Sequence, residues 1–156
     1  MLRPVSVLAV AAFSAAALSA CSTDAPRNTA GQVTASASAD AFSIKVGDCT
    51  GKMASGTITG ADLIPCADPH YFEAFAAKQM DDASYPGQTE TEKLADEFCG
   101  EAFADYVGIS SSKSKYGVFY LYPTTETWAK LGDREILCLA GDENGGVKGS
   151  IRGSKK

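Results

Sequence analysis

The five cysteines are the residues of this sequence with the most evident chemistry. Cys21 ends an apolar leader, and the other four lie at wide intervals further along the chain: Cys49, Cys66, Cys99 and Cys138. A thiol can be acylated, can ligate a metal ion or can be oxidised to a disulfide, and its sequence context decides between these outcomes. Cys21 and the later four are therefore interpreted separately.

The residues before Cys21 predict attachment to a lipid. Arg3 provides a positive start, residues 5–18 form an apolar run interrupted by two serines, and Leu18-Ser19-Ala20-Cys21 resembles a bacterial lipobox. The run is too short for a membrane span of roughly 20 residues and fits the about 7–15 residues of a signal-peptide core. We predict that residues 1–20 are a lipoprotein signal peptide and that Cys21 becomes a diacylglyceryl thioether. The alternative is an ordinary signal peptide that is cut after Ala20.

The four later cysteines predict two disulfides. An even number of cysteines in an exported domain is typical of disulfide pairing, and four cysteines allow three pairings. We favour Cys49–Cys66, which closes a local loop, and Cys99–Cys138, which would join the main helix to a strand beneath it. The alternative is a metal site, but zinc ligands usually occur in close pairs, and the sequence has no Cys-x-x-Cys motif and one histidine. We therefore expect neither a metal nor a cofactor.

His70 and Glu73 form a first candidate binding site. His70 is the one histidine of the sequence, and imidazole titrates near neutral pH, so the pair is suited to bind a ligand or partner. The alternative is that His70 begins a strand and bonds to the backbone or to Glu73. Residues three apart in a strand point to opposite faces, so a shared site needs a bend in the chain.

A second candidate site follows a short predicted helix that carries Trp128. Asp133 and Arg134 lie in the turn after this helix, where they either bind a charged ligand or hold the turn. Trp128 is either part of the core or a platform for a sugar. Three tyrosines at strand spacing form either an aromatic patch for a glycan or a protein, or one packed face: Tyr116, Tyr120 and Tyr122.

No sequence motif indicates catalysis or nucleic-acid binding. The chain lacks the Gly-x-Ser-x-Gly nucleophile motif and a glycine-rich phosphate loop, although its 19 acidic residues leave a glycosidase-type carboxylate pair open. A pI near 4.8 and a net charge of −5 argue against nucleic acid, which needs a basic surface. Removal of residues 1–20, which contain Arg3, lowers the net charge to −6.

The elements that would position these residues predict an α+β domain. Apolar residues at four-residue steps predict a main helix over 90–107, with a Thr89–Glu92 capping box and Gly108 after its end. Thr124 or Thr125 would cap the Trp128 helix, and Gly132 would close it. Aromatic and β-branched runs predict strands at 71–78, 117–122 and 134–140, with shorter ones near 44–48, 61–65 and 147–151. This order predicts a mostly antiparallel sheet with one main helix packed on it and disulfide staples.

The composition changes at Phe42. Residues 21–41 are rich in Ala, Ser and Thr and contain no aromatic residue, so we expect a lipidated cysteine followed by a flexible tether with a mean reach of roughly 25 Å. The alternative is a tail that packs on the domain. All the tyrosines, the tryptophan and every phenylalanine except Phe13 lie from Phe42 onward. We therefore predict one globular domain over 42–153.

An ordered set of residues resembles the septum-formation family of exported actinobacterial proteins. The set begins with Val46-Gly47-Asp48-Cys49 and Pro65-Cys66-Ala67-Asp68-Pro69-His70, continues with Cys99 in a helix, and ends with Gly132-Asp133-Arg134 before Cys138. The resemblance covers about residues 46–140 and departs from the family at Tyr71, where an acidic or polar residue is common. It implies a cell-envelope context and four paired cysteines, and it attaches no reaction or ligand to the domain.

Together these features predict a non-enzymatic binding or structural module of the cell envelope. We expect it to be lipid-anchored on the outer face of the cytoplasmic membrane and linked to septum formation, cell division or envelope assembly. Its expected partners are membrane lipid, through the anchor, and an envelope or divisome protein or a cell-wall glycan. The alternatives are an envelope hydrolase that uses carboxylates and a lipoprotein that binds a small ligand.

Overall fold

In the part of the chain that the structure describes, a six-stranded antiparallel sheet and two α-helices form the main elements of the domain. The computed structural model describes residues 24–54 and 57–156, so the predicted signal peptide and Cys21 lie outside the described residues. In chain order the elements are β1 (Ala37–Asp40), β2 (Cys49–Thr50), β3 (Gly60–Ile64), β4 (Phe72–Gln79), α1 (Gln88–Val107), β5 (Gly117–Leu121), α2 (Thr125–Leu131) and β6 (Glu135–Gly141). The predicted α+β class, with a mostly antiparallel sheet and one main helix, is confirmed.

The strands are arranged in the order β1-β3-β2-β4-β6-β5, so β1 and β5 form the two edges. The longest pairing joins β4 to β6, from Phe72 opposite Gly141 to Gln79 opposite Glu135, with an irregularity between Ala74 and Ala76. Gly141 is required by this close packing, because a Cβ atom there would overlap the carbonyl oxygen of Tyr71. The end of β4 therefore lies beside the start of β6 at one side of the sheet.

Helix α1 covers the first face of the sheet with one of its predicted apolar rows. Ala95, Cys99, Phe103 and Val107 are fully buried, and they pack with residues of β4, β5 and β6. The second row, which contains Leu94 and Tyr106, lies beside this cluster and is partly buried. Four-residue spacing places both rows on adjacent strips of the helix, and the strip nearest the sheet loses its contact with water.

The two ends of α1 differ in how well they were predicted. The helix ends as expected at Gly108, which has φ 89° and donates its N–H to the carbonyl of Ala104. The Thr89–Glu92 capping box is wrong, because the N-cap residue is Gly87 and makes no side-chain capping bond. The hydroxyl of Thr91 instead donates to the carbonyl of Gly87 at 2.9 Å.

Both favoured disulfides are confirmed. Cys49–Cys66 and Cys99–Cys138 close sequence separations of 17 and 39 residues. The second disulfide joins the buried strip of α1 to β6, which lies between β4 and the edge strand β5. In the entropic account of disulfide stabilisation the two loops contribute about 3 and about 4 kcal/mol.

The N-terminal residues 24–36, which we name the strap, pack on the domain with β1. Ala25, Val33 and Ala39 are buried with Ile44, Leu63 and other residues of the second face of the sheet. Arg27 pairs with Val33 in an isolated bridge, and β1 pairs with β3. The expected flexible tether is thus replaced, from Asp24 onward, by a packed strap and an edge strand. Small apolar side chains, backbone pairing and one ion pair hold this segment on the domain. Its mostly polar composition gave no indication of this packing.

The remaining strand predictions met different outcomes. The strands at 71–78, 117–122 and 134–140 are confirmed as β4, β5 and β6 within one residue at either end. The short strand near 61–65 corresponds to β3, whereas the one near 44–48 is wrong, because that segment is a turn before β2. The edge strand at 147–151 is also wrong, since only Val147 forms a bridge, with His70.

Candidate functional site

A groove of about 850 Å³ lies where β4 ends and β6 begins. One side is formed by residues from the segments around β1 and β3, including Phe42 and Ile58, and the other by residues of β5, β6 and α2. The aromatic and polar lining residues are Phe42, Thr57, Gln79, Tyr85, Gln88, Tyr120, Tyr122, Thr124, Thr125, Glu126, Thr127, Asp133, Arg134 and Glu135. The volume of the groove falls within the range of about 300–1,000 Å³ that is typical of ligand-binding clefts, and its lining combines aromatic rings with polar and charged groups.

The start of α2 is fixed in the groove by a reciprocal capping box. The hydroxyl of Thr124 accepts from the N–H of Thr127 at 3.1 Å, and the hydroxyl of Thr127 accepts from the N–H of Thr124 at 2.9 Å. The predicted cap at Thr124 and the closing glycine, Gly132 with φ 68°, are confirmed. Gly132 ends the short helix α2 and directs the chain back to the groove, where Asp133 and Arg134 follow it.

Trp128, Asp133 and Arg134, the residues of the second candidate site, lie in contact through Arg134. The guanidinium carbon of Arg134 lies 3.5 Å from the centroid of the Trp128 ring, a cation–π geometry. Nη1 of Arg134 donates to the carbonyls of Trp128 and Asp133 at 3.2 and 2.7 Å. Trp128 itself is buried and belongs to the core, whereas Asp133 and Arg134 line the groove.

Asp133 holds the turn as well as lining the groove. Its Oδ2 accepts from the hydroxyl of Thr127 at 2.9 Å, and its Oδ1 accepts from the N–H of Glu135 at 3.1 Å. These bonds agree with the alternative that Asp133 holds the turn, and its carboxylate also lies in the lining of the groove. This double role fixes the carboxylate in one position.

Two tyrosines of the β5 segment form the aromatic wall of the groove. The rings of Tyr120 and Tyr122 have centroids 5.9 Å apart and are tilted by 52°. The hydroxyl of Tyr122 donates to Oε1 of Glu92 at 2.6 Å, and this bond, followed by burial, raises the pKa of Tyr122 to about 12. The same bond lowers the pKa of Glu92. Tyr116, the third tyrosine of the predicted set, is buried in the core instead.

Glu135 adds a second carboxylate beside Asp133. Its Oε2 accepts from Nε2 of Gln79 at 3.0 Å across the β4–β6 pair. Burial, and then the charge of Asp133, raise the pKa of Glu135 above its ordinary value. The charged residues that line the groove are three acids and one base: Glu126, Asp133, Glu135 and Arg134. The lining is therefore net negative.

His70 and Glu73 do not line this groove. His70 is 1% exposed, and its Nδ1 lies 2.9 Å from the carbonyl oxygen of Asp68, which places the proton on Nδ1 because a carbonyl only accepts. Its Nε2 is buried and has no hydrogen-bond partner among the described residues. His70 thus bonds to the backbone at the start of β4, which agrees with the structural alternative for this residue.

The side chain of Glu73 points to the first face of the sheet, where both of its carboxylate oxygens accept hydrogen bonds. Oε1 accepts from the hydroxyl of Tyr106 at 2.7 Å, and Oε2 accepts from the N–H of Ile151 at 2.8 Å. These bonds join β4 to α1 and to the C-terminal segment. No hydrogen bond joins Glu73 to His70 in the part of the chain that the structure describes.

Metal-binding clusters and membrane-spanning helices are both absent from the described ranges, 24–54 and 57–156. Within them, no group of three or more His, Cys, Asp or Glu side chains is placed to hold a metal ion. In the same ranges, no helix has both the length and the hydropathy of a membrane span.

Several groove residues were missed by sequence reasoning. Gln79, Tyr85, Gln88 and Glu135 come from the end of one strand, a loop, the start of a helix and the start of another strand. The pairing of β4 with β6 brings Gln79 opposite Glu135, and the packing of Tyr85 on Trp128 brings the loop before α1 to the same groove. The one local signal was the closing Gly132, which returns the chain to the groove after α2.

A family model described as "Septum formation" matches residues 20–154 of the chain. Two curated relatives are named as uncharacterized membrane proteins of Mycobacterium tuberculosis, one from strain CDC 1551 / Oshkosh and one from strain ATCC 25618 / H37Rv. Each is 29% identical over 104 residues, and the alignment covers 59% of this chain and 22% of the relative. The chain thus spans about a fifth of the length of these relatives. No solved structure shows significant similarity to it.

Proposed function

Because the chain belongs to the septum-formation family, we propose that it is a non-enzymatic binding module held at the outer face of the cytoplasmic membrane. The observation that carries the proposal is the groove of about 850 Å³ with its aromatic wall and net negative lining. The partner is an envelope or divisome protein, or a cell-wall glycan, and binding it links the module to septum formation or envelope assembly.

The chemistry of the groove favours a ligand with apolar surface and neutral or positive charge. Tyr85 and Tyr120 offer ring faces that can stack on a sugar or an aliphatic side chain, or bind a cation. The three carboxylates repel anionic ligands, and Arg134 is engaged with Trp128 and two carbonyls. Binding of a cationic partner should therefore weaken as the salt concentration rises.

Membrane attachment is proposed to come from Cys21. Two acyl chains on the cysteine give stable anchoring, whereas one chain gives only marginal binding. A Cys21→Ala variant is expected to move the domain from the membrane fraction to the extracellular or soluble fraction. A membrane fraction that is unchanged in this variant would contradict the anchor.

The binding role can be tested by complementation of a deletion strain. We expect the deletion to disturb septation or envelope integrity, and wild-type protein to restore it. Tyr120→Ala and Glu126→Lys should fail to restore it, since they remove an aromatic face and reverse a groove charge. Glu101→Lys, which reverses a charge on an exposed turn of α1, is the matched control. Full restoration by the groove variants, at equal protein levels, would contradict the proposal.

A second candidate is a hydrolase that uses two carboxylates. It is favoured by one observation, that Asp133 and Glu135 line the same groove and that burial raises the pKa of Glu135, as in a general acid. The test is release of soluble sugar from purified cell wall by wild-type protein, Glu135→Gln and the exposed control Glu143→Gln. Release that is lost only in Glu135→Gln would support the hydrolase, and the binding proposal expects no release from any of them.

A further inference from the structure

We propose that the strap surface of the domain lies directly on the membrane. This surface comprises the strap, residues 24–36, and the neighbouring turn Lys45–Gly47, and its partner is the lipid headgroup layer. The inference rests on the proposed lipidation of Cys21 and adds to it an orientation of the domain. The reason is that few residues separate Cys21 from Ala25, the first buried residue of the strap.

The strap is fixed at its very start. Ala25 is 5% exposed, and two residues later Nη1 and Nη2 of Arg27 donate to Oδ1 and Oδ2 of Asp48 at 2.5 and 2.7 Å. Asp48 is 3% exposed and also accepts from the N–H of Lys45 at 2.8 Å. A bidentate pair between a guanidinium and a carboxylate is a strong contact. Loss of Arg27 would leave the buried carboxylate of Asp48 unpaired, which costs free energy of folding.

The strap is also closed on itself by backbone bonds. Arg27 bridges to Val33, and the N–H of Thr34 donates to the carbonyl of Pro26 at 2.9 Å. The segment therefore forms a small hairpin that continues into β1 at Ala37. It does not act as a freely extending linker.

The distance between the lipid and the fold is consequently short. Cys21 and Ala25 are four residues apart, and a fully extended chain covers at most about 14 Å over four residues. The polar headgroup layer on each side of a bilayer is itself roughly 5–8 Å thick. A domain whose fixed part begins this close to the acyl chains has its strap surface in contact with the headgroups.

The turn beside the strap has suitable side chains for this contact. Asp48 joins Arg27 to the turn, whose three residues Lys45, Val46 and Gly47 are all exposed. Val46 is 50% exposed and can enter the boundary between headgroups and acyl chains, while the ammonium group of Lys45 can pair with lipid phosphate. Helix α1 lies on the opposite face of the sheet and would point away from the membrane.

The test uses the full lipidated protein in nanodiscs of phosphatidylcholine and phosphatidylglycerol, with and without a lipid that carries a nitroxide on its headgroup. Amide signals of Lys45, Val46 and Gly47 should lose most of their intensity to the nitroxide, and those of Glu97 and Glu101 on α1 should keep most of theirs. Equal loss at the two sets of amides would overturn the proposed orientation.

Two variants sharpen this measurement. A long Gly-Ser insertion between Thr23 and Asp24 should restore much of the lost intensity at the turn, because it lengthens the connection without changing the fold. Val46→Ser should also restore part of it, whereas Leu131→Ser, at an apolar side chain on α2 that is 64% exposed, should not. Insertion and Val46→Ser signals identical to wild type would contradict contact through this turn.

Mass spectrometry of Cys21 on the same sample separates the two proposals. An acylated Cys21 with equal signal loss on both faces would refute the orientation and leave the anchor standing. An unmodified Cys21 in membrane-extracted protein would refute the anchor itself.

Discussion

Glu73 and His70 show how buried polar residues of this chain serve the fold. Each oxygen of Glu73 accepts one bond from a different part of the domain, and His70 bonds to the backbone of Asp68. Residue type and spacing suggested a binding site. The burial and hydrogen bonds of these two side chains instead show a structural role, because they connect β4 to α1 and to neighbouring backbone segments. The groove, by contrast, combines residues that the sequence singled out, such as Asp133 and Arg134, with others that it did not, such as Gln79 and Glu135.

Glu73→Ala is expected to destabilise the domain by about 2–4 kcal/mol, because a buried N–H and a tyrosine hydroxyl lose their acceptor. Chemical denaturation with intact disulfides measures this loss. Glu101→Ala, at an exposed position of α1, should change the free energy of unfolding little. A Glu73→Ala variant as stable as that control would show that the carboxylate does not hold the C-terminal segment.

Glu135 predicts a pH dependence of stability. Burial, and then Asp133, raise the pKa of Glu135 in the folded state, so folding is favoured while this group is protonated and that advantage is lost as the pH rises through the folded pKa. Glu135→Gln should therefore raise the Tm at pH 7, and the difference should vanish below about pH 4, where the glutamate is protonated in both states. Glu143→Gln should change the Tm at neither pH. A Glu135→Gln variant less stable than wild type at pH 7 would contradict this.

The Tyr122–Glu92 bond makes a spectroscopic prediction. The hydrogen bond to Glu92 is the main reason why the pKa of Tyr122 is raised to about 12. Because Glu92→Ala removes this bond, the pKa of Tyr122 should fall toward the ordinary value of about 10. Alkaline titration of tyrosinate absorbance measures this, and Tyr122→Phe identifies the signal. An unchanged titration in Glu92→Ala would mean that the bond does not set the pKa.

At the scale of elements, the strap determines how the domain begins. One bidentate ion pair and a few small buried side chains hold a segment that has neither aromatic residues nor a run of large aliphatic ones. Such a segment has few apolar contacts of its own and is expected to open more easily than the sheet. Its ion pair is therefore the contact most open to mutational test.

Arg27→Ala should release the strap. We expect amide hydrogen exchange of Gly31 and Thr34 to accelerate by at least tenfold, while β4 and β6 exchange as in wild type, because the loss is local. Arg27→Lys should be intermediate, since lysine keeps the charge but not the bidentate geometry. Lys148→Ala is the exposed control. Unchanged exchange in Arg27→Ala would show that the ion pair does not hold the strap.

Periodic elements could be predicted from the sequence, and the strap and the groove could not. The four-residue steps through Phe103 predicted the buried strip of α1, and the cysteine count together with those steps predicted the Cys99–Cys138 staple. The helical periodicity is a local signal, and the disulfide depends on one pair of distant cysteines. The strap depends on contact between Arg27 and Asp48, and nothing near either residue indicates the other.

The groove was only partly predictable for a related reason. Asp133 and Arg134 were singled out, because they follow the closing glycine of a short helix. Tyr85 and Gln79 were not, because Gln79 joins the site through the register of β4 against β6 and Tyr85 through the packing of its ring on Trp128. The predicted capping box at Thr89 failed because Gly87, at φ 98°, already begins the helix two residues earlier.

At the scale of the whole molecule, charge and attachment act together. The chain has a net charge of −5, and the groove lining concentrates part of that charge beside tyrosine rings. A module that is fixed near the membrane searches for partners within a thin layer, which raises its effective concentration for membrane-bound partners. The proposed anchor and the proposed groove therefore support the same role.

Photo-crosslinking in growing cells tests that role most directly. A photo-reactive phenylalanine analogue is placed at Tyr120 in the full membrane-anchored chain, with the same analogue at Glu101 as the control. We predict a discrete adduct with an envelope component from position 120 and none from position 101. Absence of an adduct at position 120, or the same adducts from both positions, would contradict a binding module that acts through this groove.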